Sequence, residues 1–169
     1  MARRVFFSFH FDNDYSRTQQ VRNIGAIEGN KPVSKNDWEQ ISNNEKGDRD
    51  KKIAKWIDDN LYGKSCTVVL VGQDTADRKW INYEIVKSWN AGMGVVGIRI
   101  HGLKNLEGNI AKIGNNPFDY IPILDTEKKL SSIVKCYNPP GSNSKERYAW
   151  IRQNLVNAIE EAIEIRNGY

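Results

Sequence analysis

Three short runs of β-branched and aromatic residues stand out along the chain, and each is followed by polar residues or glycine. They are Arg4–Phe9, Cys66–Val71 and Val95–Ile100. Runs that are apolar at nearly every position are typical of strands whose two faces are both buried in a parallel sheet. The pattern therefore predicts three buried strands, and it predicts turn and cap residues at Asp12–Asp14, directly after the first strand.

Apolar residues recur at helical spacing in three other segments. These run from about residue 50 to 61, from Arg78 to Ala91, and from about residue 144 to the end of the chain. A glycine follows each of the first two, as is common where a helix ends. Ser142 or Ser144 is the predicted cap of the third helix. Strands that alternate with helices predict a parallel sheet with right-handed crossovers.

The predicted fold class is α/β, a three-layer flavodoxin-like fold with a mostly parallel sheet of about five strands in the order 2-1-3-4-5. Residues near Lys31–Ile41 are predicted to form a poorly defined second strand or a loop, and Ser132–Tyr137 a short edge strand. With 169 residues, the chain fits one domain, 1–169. We expect a core over residues 3–124 and a C-terminal extension with a long helix over 125–169.

Composition indicates a soluble globular protein, with 39% hydrophobic and 27% charged residues. The net charge of +4 is spread along the chain without a basic block, so no nucleic-acid partner is expected. No apolar run approaches the ~20 residues that cross a bilayer, and the first residues are too short for a signal peptide. We expect a cytoplasmic protein without a membrane partner. Cys66 and Cys136 are predicted to be reduced thiols, and no metal site is expected.

The predicted strand order places a ligand site at the carboxyl ends of the first and third strands. Neighbouring loops diverge at this switch point and leave a crevice between them. The two loops are Ser8–Asp14 and Gly72–Asp77, and both are polar where the strands are apolar. The second loop leads into the helix that carries Glu84.

Glu84 is predicted to lie at the border of the buried stripe of that helix. At ~100° per residue it lies about 60° to one side of Ile81, while Ile85 lies about 40° to the other. Partial burial raises the pKa of a carboxyl group, as is common at functional sites. The alternative, which this geometry leaves open, is a surface ion pair with Lys87, worth ~0.2–0.5 kcal/mol.

Five segments together resemble the bacterial TIR-like family, and within it the TIR proteins of the Thoeris anti-phage system. The segments are Arg4–His10, Thr67–Thr75, Arg78–Ser88, Gly94–His101 and Asn116–Asp119. The resemblance covers roughly the first 120 residues. It is most specific in the box Trp80–Glu84, where TIR domains carry a tryptophan and their catalytic glutamate.

The resemblance implies an enzyme that cleaves the nicotinamide–ribose bond of NAD and produces a cyclic ADP-ribose-type signal in anti-phage defence. NAD is then a substrate, and no cofactor is expected. The implied partners are further copies of the chain on activation and a downstream effector that senses the cyclic nucleotide. Nicotinamide leaves as a neutral molecule from a cationic ring, so the two carboxylates of ordinary glycosidases are not needed. One ionised Glu84 would stabilise the sugar cation.

The resemblance implies that Glu84 is catalytic, and the predicted substrate-binding residues come from the loops around it. They are Phe7, Ser8, Phe9, His10, Trp38, Gln73, Asp74, Thr75, Trp80 and Asn115.

These substrate-binding residues are expected to play different roles. Phe7, Phe9 and His10 are candidates for stacking on a base, Ser8 for a hydrogen bond, and the amides of residues 73–75 for phosphate. Strand alternation sends Phe7 and Phe9 to one face and Ser8 to the other, so core packing stays open for each phenylalanine. Trp80 also fits a structural role.

Competing interpretations come from other classes of protein. A non-catalytic TIR assembly module would consume no NAD. A phosphoacceptor receiver-like domain would use Asp12 and Asp14 to hold Mg²⁺, but Gly72 stands where that class has an aspartate at the end of the third strand, although Asp74 is nearby. A flavodoxin proper needs a Ser/Thr-rich phosphate loop after the first strand, which Phe9–Asp12 does not provide.

Overall fold

A computed structural model describes residues 3–24, 28–29 and 49–169 of the chain. Within these residues five strands form one sheet in which every neighbouring pair is parallel, in the order β2-β1-β3-β4-β5. The strands are β1 (Arg4–Phe9), β2 (Glu28–Gly29), β3 (Cys66–Val71), β4 (Gly94–Arg99) and β5 (Cys136–Tyr137). The predicted flavodoxin-like order is therefore confirmed.

The described helices are α1 (Phe11–Arg22), α2 (Arg49–Leu61), α3 (Lys79–Asn90) and α4 (Ser144–Asn167), with 3-10 helices at Pro117–Tyr120 and Leu130–Ser132. Among them, none is long and apolar enough to cross a membrane. Cys66 is buried and Cys136 is partly buried, and both are free thiols.

The central strand β3 is buried along its whole length because helices cover both of its faces. Val68 and Leu70 belong to one core cluster, which includes Ile151, Leu155 and Ile159 of α4. Val69 and Val71 belong to another, with Ile81 and Ile85 of α3. Phe6 of β1 packs with Ile53 and Ile57 of α2. Alternate strand residues thus bury against opposite layers, as the continuous apolar runs indicated.

Helix α4 crosses the sheet and supplies five buried residues between Ile151 and Ala162. The division of the chain into a core of 3–124 and an extension of 125–169 stays a prediction.

The cap of α4 is Asn143, whose side chain accepts a hydrogen bond from the Glu146 amide at 2.9 Å. The prediction of a serine cap was wrong. Ser144 is already helical, and the Ser142 hydroxyl donates to the Glu146 carboxylate instead.

Helix α1 begins at Phe11, where the sequence predicted only turn and cap residues. Its inward face carries polar side chains, so the apolar stripe that reveals the other helices is missing. Asp14, Arg17 and Thr18 are buried there beside Val21. Arg17 donates hydrogen bonds to the carbonyls of Leu103 at 2.8 Å and Asn109 at 3.0 Å, which ties α1 to the loop after β4.

The two edge strands are shorter than the strands between them. Strand β2 pairs only with Arg4 and Val5, and Lys31–Ile41, where we expected a second strand or loop, lies outside the described residues. Of the predicted edge strand Ser132–Tyr137, only Cys136–Tyr137 pairs with β4. The difference arises because Ser132 belongs to a 3-10 helix.

Candidate active site

A cavity of about 770 Å³ opens at the carboxyl ends of β1 and β3. This is the switch point of the sheet, where β1 and β3 are neighbours although β2 separates them in the chain. Its volume lies in the range of small-molecule sites. The predicted site residues that line it are Phe7, Phe9, His10, Gln73, Asp74, Trp80, Glu84 and Asn115.

Of the three other predicted residues, two do not line the cavity and one is outside the described part of the chain. Trp38 is outside the described residues. Ser8 is buried behind the cavity, beside Glu84. Thr75 is buried in the β3–α3 loop, where its hydroxyl accepts a hydrogen bond from the Gly72 amide at 2.8 Å. Of the three loop residues proposed for phosphate, Gln73 and Asp74 therefore line the cavity, and Thr75 shapes the loop.

Glu84 is held in the cavity wall by the packing of α3. Ile81 and Ile85 are buried against the sheet and fix the face of the helix that meets it. One turn further on, the Ser88 hydroxyl donates to the Glu84 carbonyl at 2.6 Å and pairs with the Thr67 hydroxyl of β3 at 2.6 Å. The segment that carries Glu84 is thus joined to the sheet by packing and by hydrogen bonds.

The Glu84 side chain is only 7% exposed, and this burial raises its pKa to about 8. Ser8 opposes the shift in part, because its hydroxyl lies close enough to favour the ionised carboxylate. The contact falls short of a regular hydrogen bond: within the described part of the chain, neither Ser8 Oγ nor Glu84 Oε2 has a partner of normal geometry. A buried carboxyl oxygen without a partner is costly unless it is protonated or meets a ligand.

The surface ion pair considered for Glu84 is not formed. The Lys87 ammonium group lies over the Tyr83 ring instead, 5.6 Å from its centre. Lys87 is exposed and Glu84 is buried, so the two side chains leave the helix in different directions. The interpretation of Glu84 as a solvated surface residue is therefore excluded.

Aromatic side chains form much of the cavity wall. Phe7 is 2% exposed and also belongs to the core cluster around α4, so it serves both packing and the wall. Phe9 is partly buried, with its ring 6.2 Å from that of Phe11. Trp80 packs edge-on against Tyr83 at 5.4 Å, which gives it a structural contact as well. Such walls suit flat aromatic ligands.

The β3–α3 loop is braced from several sides. The Asp74 carboxylate accepts from Asn13 of α1 at 2.7 Å, and its carbonyl accepts from Arg78 at 2.7 Å. The Gln73 side chain accepts from the Lys112 amide at 3.2 Å. Asp77, the last residue before the cap of α3, has a φ of 59°, which is uncommon outside glycine. These contacts fix the mouth of the cavity.

Asn115, a predicted substrate-binding residue, and its neighbour Asn116 differ in placement. Asn115 lines the cavity, and its amide donates to the Tyr120 hydroxyl at 2.9 Å. Asn116 caps the 3-10 helix that follows, by accepting from the Phe118 amide at 2.9 Å. Asn115 remains the candidate because it lines the cavity and Asn116 does not.

Several lining residues were not predicted. They are Phe6, Phe11, Asp12, Trp56, Ala76, Asp77, Arg78, Lys79 and Ile81. Phe6 lies on the strand face opposite to that of Phe7 and Phe9, so strand alternation gave no signal for it. Trp56 was visible only as part of an apolar helical stripe. Arg78 and Lys79 are exposed cations at the start of a helix, and nothing in their spacing distinguishes them from ordinary surface residues.

The acidic pair of a receiver-like domain is not formed. Asp12 lines the cavity, but Asp14 is buried next to the Arg17 guanidinium, at 3.5 Å. Burial, which outweighs that cation, raises the pKa of Asp14 to about 6. Within the described ranges, no three His, Cys, Asp or Glu side chains are placed to hold a metal ion.

Comparison with known proteins agrees with this geometry. A family model described as "Thoeris protein ThsB, TIR-like domain" matches residues 6–105, which span β1 to β4 and include Glu84. The chain belongs to the Thoeris ThsB family of TIR-like domains. A Bacillus cereus (strain MSX-D12) protein named "Putative cyclic ADP-D-ribose synthase ThsB1" is 37% identical over 123 residues. The match covers 72% of this chain and 64% of that relative, so it spans less than two thirds of the relative's length.

Proposed function

We propose that this TIR-like domain cleaves the nicotinamide–ribose bond of NAD, with Glu84 as the catalytic carboxylate. The observation that carries the proposal is the buried Glu84 carboxyl group, with one oxygen lacking a regular partner among the described residues, in an aromatic-walled cavity at the switch point. A strongly raised carboxyl pKa in a cleft is a marker of functional sites. Family membership and the name of the Bacillus cereus relative support the same chemistry.

The reaction needs one carboxylate, and the cavity offers conditions for its use. The cationic nicotinamide ring of NAD favours the ionised form of a nearby acid, so substrate binding lowers the pKa of Glu84 from about 8. The carboxylate then faces the ribose carbon as positive charge grows there and nicotinamide departs as a neutral molecule. In a dry site such a charge is worth ~3–4 kcal/mol in the transition state.

The nucleophile that attacks the ribose cation decides the product. We propose a cyclic ADP-ribose-type nucleotide, because the aromatic walls suit the adenine base and would hold the adenosine end of the same molecule near the ribose cation. The name of the relative supports cyclisation. We further propose that the product is sensed by a separate effector and that further copies of the chain associate on activation, both in anti-phage defence.

The experiment compares wild type, Glu84→Gln and the control Glu164→Gln, which changes an exposed carboxylate of α4. Nicotinamide and nucleotide products are resolved by chromatography after incubation with NAD at high concentration. The assay is repeated in extract of phage-challenged cells, which supplies a trigger that the purified sample lacks. Glu84→Gln is expected to lower nicotinamide release ~100-fold or more, and Glu164→Gln to leave it unchanged.

Two results would count against the proposal. Nicotinamide release that is equal in wild type and Glu84→Gln would remove Glu84 from the chemistry. No release by the wild type under either condition would favour the non-catalytic assembly module.

A further inference from the structure

His10 occupies a position at the cavity that its structural surroundings do not explain. It follows β1 directly and is the N-cap residue of α1, but its side chain makes no capping hydrogen bond. Its backbone carbonyl accepts from the Asp14 amide at 3.0 Å, so the main chain alone starts the helix. Any residue with this backbone conformation would serve that purpose. The imidazole is therefore free for another role.

The imidazole lines the cavity and is half-buried. Its Nδ1 atom is shielded from solvent, and within the described residues that nitrogen has no hydrogen-bond partner. Buried polar atoms are normally paired, and exceptions call for a functional explanation. Because Nδ1 itself is shielded, we take the imidazole ring of His10 as a whole, rather than that one atom, as the group that can accept a hydrogen atom from a ligand in the cavity.

The surroundings of His10 hold the imidazole neutral at neutral pH. Burial is the largest cause of its lowered pKa, and the Arg78 guanidinium acts in the same direction. Asp12 of α1 and Asp74 of the β3–α3 loop oppose the shift without overcoming it. A neutral imidazole is a proton acceptor, whereas an imidazolium is not.

We propose that His10 is the general base that takes the proton from the oxygen nucleophile that captures the ribose carbon. The inference rests on the proposed function. The bond from the ribose carbon to nicotinamide breaks, and its electron pair leaves with nicotinamide. An oxygen lone pair, from a hydroxyl group of the same nucleotide or from water, forms the new carbon–oxygen bond. The proton of that oxygen passes to the imidazole and is released to solvent with the product.

The roles of Glu84 and His10 differ because each step creates a different charge. Glu84 stabilises the positive charge on the sugar as nicotinamide departs, and His10 accepts the proton that only the second step releases. A nitrogen nucleophile without a proton, such as the ring nitrogen of a pyridine, needs Glu84 but has no use for a base. Capture by oxygen and capture by a pyridine therefore separate the two roles.

The test uses His10→Gln with NAD and isotopically labelled nicotinamide. Exchange of the label into NAD measures capture by the pyridine nitrogen, and formation of ADP-ribose plus cyclic nucleotide closed through oxygen measures capture by oxygen. His10→Gln is expected to lower the ratio of oxygen capture to label exchange on the order of 10²-fold or more. Label exchange that remains measurable shows that the variant is folded and binds NAD.

His101→Gln is the matched control. His101 is the other histidine of the chain, is also half-buried and also has a shielded Nδ1 without a partner among the described residues, but it does not line the cavity. It is expected to match the wild type in both measurements.

Four results would overturn the inference. If oxygen capture is unchanged in His10→Gln, another group accepts the proton, and the Glu84 carboxylate is the first candidate. Equal loss of exchange and oxygen capture would make His10 a binding or structural residue. A wild type that cleaves NAD but closes the ring only through an adenine nitrogen would need no such base. If the wild type neither releases nor exchanges nicotinamide, the proposed function itself fails, and the inference fails with it.

Discussion

Replacing Glu84 with glutamine is expected to make the protein more stable while it removes activity. Burial holds the carboxyl pKa at about 8 in the folded protein, against an ordinary value of 4.5. Between these two values the unfolded chain has released its proton and the folded protein keeps it. The free energy of unfolding therefore falls as pH rises through this window. Glutamine has nearly the same shape and no proton to lose, so the variant escapes this loss.

The size of the effect follows from the two pKa values. Each unit of difference corresponds to about 1.4 kcal/mol. The gain in the free energy of unfolding for Glu84→Gln should be about 1 kcal/mol at pH 5, about 3 kcal/mol at pH 7 and between 4 and 5 kcal/mol above pH 8. At pH 7 this is a rise in Tm of roughly 6–12 °C for a chain of this size.

The assay is urea unfolding of wild type, Glu84→Gln and the exposed control Glu164→Gln at several pH values between 5 and 9. The difference in the free energy of unfolding between Glu84→Gln and wild type should widen with pH and level off near pH 8. Glu164→Gln should follow the wild type throughout. A difference that does not depend on pH, or a destabilised Glu84→Gln at every pH, would show that the carboxyl is not held protonated by burial.

Three further predictions concern rate and local structure. For nicotinamide release, kcat/KM should rise about tenfold per pH unit up to a midpoint near 8, because the free protein must ionise Glu84; a flat profile from pH 6 to 9 would contradict this. Gly72→Ala places a Cβ 2.0 Å from Asp14 Oδ2 and should lower the free energy of unfolding by ~1–3 kcal/mol, but less in an Asp14→Ala background; equal losses in both backgrounds would refute the clash. Asn143→Ala should lose about 1 kcal/mol in the same urea assay through its cap of α4, and no loss would refute that role.

The pattern of apolar residues was sufficient for those parts of the fold whose burial is apolar. Strands β1 and β3 and helix α3 were predicted within a residue of their observed bounds, because the strands are short continuous apolar runs and the helix has apolar residues at helical spacing. Helix α1 was missed because it buries Asp14 and Arg17, and a pattern of polar residues carries no such signal. Strand β2 has two residues, too few for any period.

The candidate site was predictable as far as it depends on strand order and helix geometry. The switch point located the cavity, and the angular position of Glu84 beside Ile81 indicated partial burial. Glu84 is more buried than this angular position indicates, because Ser8 of β1 packs behind it. A contact between a strand and a helix cannot be predicted from either segment alone. The role of Glu84 stays a prediction, as do those of the binding residues.

The central claim is that the nicotinamide ribose of NAD lies against the Glu84 carboxyl group. A crystal structure of the Glu84→Gln variant with NAD tests it most directly, because the slow variant preserves the substrate. We expect the ribose carbon that bears nicotinamide within about 3.5 Å of the side chain at position 84, with the dinucleotide in the cavity between β1 and β3. NAD bound outside that cavity, or with its adenine end toward position 84, would contradict it.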